Sequence, residues 1–109
     1  MKLMTKELEK IIPPFYSGED IELEDKIVYA KFFLPDANFT WYILEYDKES
    51  NTIFALVDGL DIELGYVSIE ELEQVRGHMG LHVERDLYFT PVRYGDLKIW
   101  KSTKTWMSN

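Results

Sequence analysis

Cysteine is absent from this 109-residue chain, so disulfides, thiol catalysis and cysteine-bound zinc are all excluded. There is no apolar run long enough to span a bilayer. The start, Met1-Lys2-Leu3-Met4-Thr5-Lys6-Glu7, lacks the apolar core of a signal peptide, and a cytoplasmic location is the expectation. Histidine occurs only at positions 78 and 82. A phosphate-binding glycine loop, a dinucleotide fingerprint, His-Glu-x-x-His and Gly-x-Ser-x-Gly are all missing, which argues against ordinary nucleotide or hydrolase chemistry. Basic residues are outnumbered by acidic ones, 12 to 20, and the formal net charge is −8. Repulsion from phosphate makes such a body a poor general nucleic-acid binder.

Hydrophobic residues, in contrast, make up 46% of the chain and aromatic ones 15%, too many for a disordered segment. The length suits one domain with a modest core. Lys98, Lys101 and Lys104 meet no acid after residue 96, so the acidity is concentrated in the body. The expected organisation is a single α+β domain over residues 1–97 and a basic aromatic C-terminal tail over 98–109.

Hydrophobic spacing predicts the elements. Thr5 is a natural N-cap for a short helix over 5–12, with Glu7 and Glu9 in its first turn and Pro13-Pro14 stopping it. Ser17 to Asp25 is an acidic loop that Ile21 and Leu23 pin to the body. In Lys26–Leu34, Val28, Ala30, Phe32 and Leu34 alternate toward a core. Strands are also expected at Phe39–Tyr46, Thr52–Asp58 and around Ile62–Tyr66, with short connections that favour an antiparallel meander. Ser68 and Glu71 have capping-box spacing and open a second helix, for which Gly77 is the expected C-cap. A fifth strand is expected over Asp86–Val92. The fold class is therefore α+β, an antiparallel meander sheet of about five strands with two short helices.

Five stretches of the chain carry a family likeness. They are Leu8 to Tyr16 ending in Pro-Pro-Phe-Tyr, Lys26-Ile-Val-Tyr-Ala-Lys-Phe-Phe, Thr40-Trp-Tyr-Ile-Leu-Glu-Tyr-Asp, Glu63-Leu-Gly-Tyr-Val-Ser-Ile-Glu-Glu-Leu and Val83-Glu-Arg-Asp-Leu-Tyr-Phe. Over residues 5–97 the chain resembles the bacterial domain of unknown function numbered 2958. The resemblance implies a short protein of plasmids and other mobile elements. It implies no catalytic residue, since none is assigned in that family.

Candidate site residues fall into four groups. His78 and His82 have a metal-ligand spacing, with Glu84 as a third donor and Glu45 and Glu63 as further acids across the sheet, but Gly77 and Gly80 interrupt any helix there; two exposed loop histidines are the plainer reading. Glu84 and Asp86 share one face of an extended segment, as a carboxylate pair for acid/base work or as part of an ion-pair network. Trp41, Tyr42, Tyr46, Tyr29 and Tyr66 are anchor candidates or core. Lys98, Trp100, Lys101, Lys104 and Trp106 interleave bases and aromatics, a pattern that can grip a phosphate backbone and stack bases, fold back on the acidic body or dock on a partner protein; a frayed end is the plainer reading, though two tryptophans argue that at least one is buried.

The functional expectation is a non-catalytic accessory protein. Its acidic loop, through Glu19, Asp20, Glu22 and Glu24 and helped by Glu70, Glu71 and Glu73, meets a protein partner with a basic surface. Such a body would imitate nucleic-acid charge, as anti-restriction proteins of mobile elements do. The alternatives are a small-molecule or metal-dependent enzyme using Glu84, Asp86 and the histidines, and nucleic-acid binding through the tail alone. No cofactor and no membrane partner is implied.

Overall fold

The computed structural model describes residues 2–107, and side chains through 105. Its main sheet has five antiparallel strands in the order β5-β4-β3-β2-β6: β2 (Ala30–Leu34), β3 (Phe39–Asp47), β4 (Thr52–Asp58), β5 (Ile62–Ser68) and β6 (Glu84–Arg85). A second, two-stranded sheet pairs β1 (Ile27–Val28) with β7 (Val92–Arg93). Three short helices, α1 (Lys6–Ile11), α2 (Ile69–Gln74) and α3 (Ile99–Met107), complete the α+β fold. No helix among the described residues is long and apolar enough to cross a membrane.

The caps follow from the side chains. The Thr5 hydroxyl accepts the Leu8 N–H at 3.2 Å. Ile12 is already extended, as a residue before proline must be. The Ser68 hydroxyl accepts the Glu71 N–H and opens α2 directly from the end of β5.

The main sheet is covered on both faces. On one face Ala30, Phe32, Leu34, Trp41, Ile43, Ile53 and Ala55 pack with Leu3, Met4, Ile69, Leu72 and Val83. On the other, Leu44 and Leu56 pack with Leu23, Val28 and the fully buried Tyr94. A β-bulge in β3 shifts its alternation by one residue, so Trp41 and Ile43 face the first core, Leu44 the second, and Tyr46 in place of Glu45 returns to the first. The register slips between Ile43 and Glu45, so Leu44 is an extra residue beside Ala55 and Phe54 of β4. The break between β1 and β2 at Tyr29 works similarly. Val28 joins the second core, whereas Ala30, Phe32 and Leu34 stay in the first. All four are buried as the alternation predicts, but they do not share one layer.

Three expectations are corrected. The strand expected over Asp86–Val92 stops at Arg85, because the Asp86 carboxylate accepts the Tyr88 N–H at 3.0 Å and its carbonyl accepts that of Phe89, which turns the chain. Only Val92–Arg93 resumes strand, on β1. Helix α2 ends at Gln74 with Val75 as its extended cap, so Gly77 is not its C-cap. Arg76 instead bridges His82, and Gly77 is needed for space: a Cβ there would lie 1.5 Å from Asp36 Oδ1. Finally, the segment read as a tail carries a helix. Ile99 and Trp100 pack in the second core, and Thr103 is fully buried.

Candidate functional site

The acidic loop is a held structure. Leu23 plugs into the second core, and Leu23–Asp25 form one 3₁₀ turn. Ile21, expected to pin the loop beside Leu23, is 46% exposed. The loop's entry is clasped by Glu45, whose buried carboxylate accepts the N–H groups of Tyr16 and Gly18, each at 3.0 Å. The Lys26 ammonium donates to the Gly18 carbonyl. A glycine suits this position, because a Cβ would lie 3.1 Å from Lys26 Nζ and 3.2 Å from Glu45 Oε2. Tyr16 takes a positive φ of 69° to enter the clasp. A charged hydrogen bond to each backbone amide contributes about 1.5–3 kcal/mol, enough to order a short loop.

Glu45 is thus the residue that sequence reasoning underused. Its signal was present: one acid in the run Trp41-Tyr42-Ile43-Leu44-Glu45-Tyr46, where a strand covered on both faces leaves a carboxylate only a specific partner.

The loop presents its charge outward. Glu19, Asp20, Glu22 and Glu24 are all exposed, and among the described residues none forms an ion pair. Their neighbour Asp25 does, meeting Arg93 at 2.9 Å, with Arg93 bridging on to Asp96 at 3.1 Å. Glu70 and Glu71 are exposed on α2, while Glu73 accepts the Leu3 N–H at 3.0 Å.

The remaining candidates separate. Glu84 and Asp86 line one cleft of about 600 Å³ with Lys31, Phe33, Arg85 and Tyr88. Both Asp86 oxygens are engaged, one by the Tyr88 N–H and the other by Lys31 at 4.0 Å. Arg85 reaches to the Lys2 and Leu3 carbonyls, and Lys31 meets Asp86 in an ion pair. His78 and His82 are exposed, and among the described residues no three of histidine, aspartate and glutamate converge as a metal would require. Glu45 is committed to its loop, and Glu63 lies on β5, at the opposite edge of the sheet from Glu84.

Trp41 is 6% exposed and stacks on Phe39 at 5.8 Å, so it is core and offers no anchor. Tyr46 is buried too, its hydroxyl donating to Asn51 at 2.7 Å. Tyr66 does stand out, 56% exposed, with its ring 5.1 Å from Phe15 and 5.0 Å from Phe54. Partial burial and a hydrogen bond with Tyr16 hold its phenol above the usual range. Trp100 sits edge-on to Tyr94 at 5.8 Å, half-buried, while Lys98, Lys101 and Lys104 face outward. The Trp106 side chain lies outside the described residues.

The fold is that of a small α+β domain, and its held loop turns Glu19, Asp20, Glu22 and Glu24 outward. The chain matches the family described as "Protein of unknown function (DUF2958)" over residues 3–103, nearly its whole length, and it belongs to that family. The match includes most of α3 as well as the stretches that carry the resemblance. Searches of curated proteins and of solved structures found no match.

Proposed function

We propose that this chain is a non-catalytic interaction protein that binds a basic protein partner through the acidic loop 19–25. One observation carries the reading: four exposed acids, without ion pairs among the described residues, sit on a loop fixed by Leu23, Glu45 and Lys26. Exposed acids on a flexible loop would only solvate it. Held in place, they form a fixed negative field that steers a basic partner and spares it the ordering cost. If the gene travels on a mobile element, as the resemblance implies, a host or plasmid nucleic-acid-binding protein in the cytoplasm would have such a surface.

The test reverses the charges. A chain carrying Glu19→Lys, Asp20→Lys, Glu22→Lys and Glu24→Lys is expected to fold normally and lose salt-sensitive capture of its partner. Capture equal to that of the unaltered chain overturns the proposal.

A further inference from the structure

The main sheet ends in β5, an edge strand of seven residues, Ile62–Ser68. Two hydrogen bonds at its ends set the phase of its backbone. Ile69 N donates to Asn51 O at 3.0 Å, and Gly59 N donates to Asp61 O at 3.1 Å. Both lie on the register that pairs Ile53 with Val67 and Ala55 with Gly65. Bonded and non-bonded pairs alternate in an antiparallel ladder. Asp61, Glu63, Gly65 and Val67 therefore bond to β4, and Ile62, Leu64 and Tyr66 turn their N–H and C=O groups outward, while the Ser68 C=O caps into α2. Among the described residues no strand pairs with that outer side.

Sheet proteins usually blunt such an edge with lysine, proline or a bulge. β5 has none of these, and its pairing with β4 is regular throughout. Leu64 and Tyr66 are exposed on one face of the strand. On the other face Glu63 is exposed, and a Cβ on Gly65 would meet nothing within 4 Å. The strand and the stretches flanking it in sequence carry charge of one sign. Residues 49–75 hold seven acids and neither lysine nor arginine. At the Tyr66 end the edge runs into the acidic loop, where Tyr16, Glu19 and Tyr66 line a common hollow of about 240 Å³ with Lys26, Glu45 and Phe54.

We propose that β5 accepts an extended basic segment of a partner protein as a sixth strand of the main sheet. The outward N–H and C=O groups supply the main-chain ladder. Alternate partner side chains fall beside Leu64 and Tyr66, which suits apolar residues. The others fall beside Glu63 and the bare Gly65, which suits long basic ones. A second copy of this chain fits poorly, because it would bring another net charge of −8 against the same acidic edge. The proposal extends the basic-partner reading to a different surface, and the two can fail separately.

The test uses the full chain at 0.15 M salt and a labelled eight-residue peptide of alternating lysine and valine, with alternating glutamate and valine as control. The lysine peptide is expected to bind saturably one to one, and to shift the amide resonances of Ile62, Leu64 and Tyr66 most. Leu64→Pro removes one outward N–H without touching the β4 ladder, as an edge strand tolerates. Glu63→Lys changes only a side chain and decides the matter if the proline variant does not fold. Each is expected to weaken binding at least tenfold, and more than the fourfold loop reversal does. Absence of saturation up to millimolar peptide overturns the proposal. So does binding that edge variants spare and loop reversal abolishes, or self-association of the chain that Leu64→Pro removes.

Discussion

Replacing Thr103 with valine tests how α3 is held to the sheet. Thr103 is fully buried and donates its hydroxyl proton to the Ile99 carbonyl at 2.9 Å. That proton is then committed, so in the Tyr94–Thr103 hydrogen bond the tyrosine is the donor. Tyr94 is itself fully buried, with Tyr42 and Trp100 edge-on to its ring. Valine keeps the shape of threonine and strands the Tyr94 O–H in the core, at a cost of about 1–3 kcal/mol. Tyr94→Phe removes the donor but leaves Thr103 bonded to Ile99, and should cost only about 0.5–1.5 kcal/mol. In the double variant nothing is stranded, so its loss should fall below that of Thr103→Val alone. Each kcal/mol lowers the melting temperature of a domain near this size by roughly 4–8 °C, which circular dichroism resolves easily. The reasoning fails if Thr103→Val is the milder single change, or if the two losses add.

Two further outcomes follow from the same geometry. Gly77→Ala places a Cβ against the Asp36 carboxylate, which accepts the N–H groups of Met79 at 2.7 Å and Leu81 at 3.3 Å. It should cost roughly 1–3 kcal/mol and speed hydrogen exchange at those two amides, and adding it to Asp36→Ala should cost little more. Burial pushes the Tyr94 phenol up to about 12, and burial raises Tyr42 and Tyr46 as well. A raised phenol stabilises the folded state fully below about pH 10 and loses that contribution as pH climbs toward 12. For Tyr94 the loss is on the order of 2–3 kcal/mol. Stability curves over pH 9–12 should flatten in Tyr94→Phe; an unchanged slope would contradict this.

The sequence was most readable where a residue's role depends on near neighbours. Thr5 and Ser68 cap helices because the N–H they satisfy is three residues away. Ala30, Phe32 and Leu34 reach the core because strand periodicity is two. Legibility failed where a distant partner decides. Gly77 looks like a helix cap until Asp36, 41 positions earlier, is placed against it. Val28 changes layer because β7, far along the chain, pairs with β1. Asp86 lies in a strand-like run, yet its own carboxylate turns the chain. The acidity of the loop was plain in Glu19 to Asp25, but its clasp was not, since Glu45 lies 27 residues from Gly18. In α3 two tryptophans hinted at burial, but nothing within 98–107 announces a buried threonine bonded to Tyr94.

The most direct test of the central claim is affinity capture from bacterial lysate with the tagged chain, at low and high salt, with and without nuclease. A stoichiometric protein partner that survives nuclease and leaves at high salt is expected, as a surface contact with the acidic loop requires. Recovery of nucleic acid in place of protein, or of a partner indifferent to salt, would contradict it.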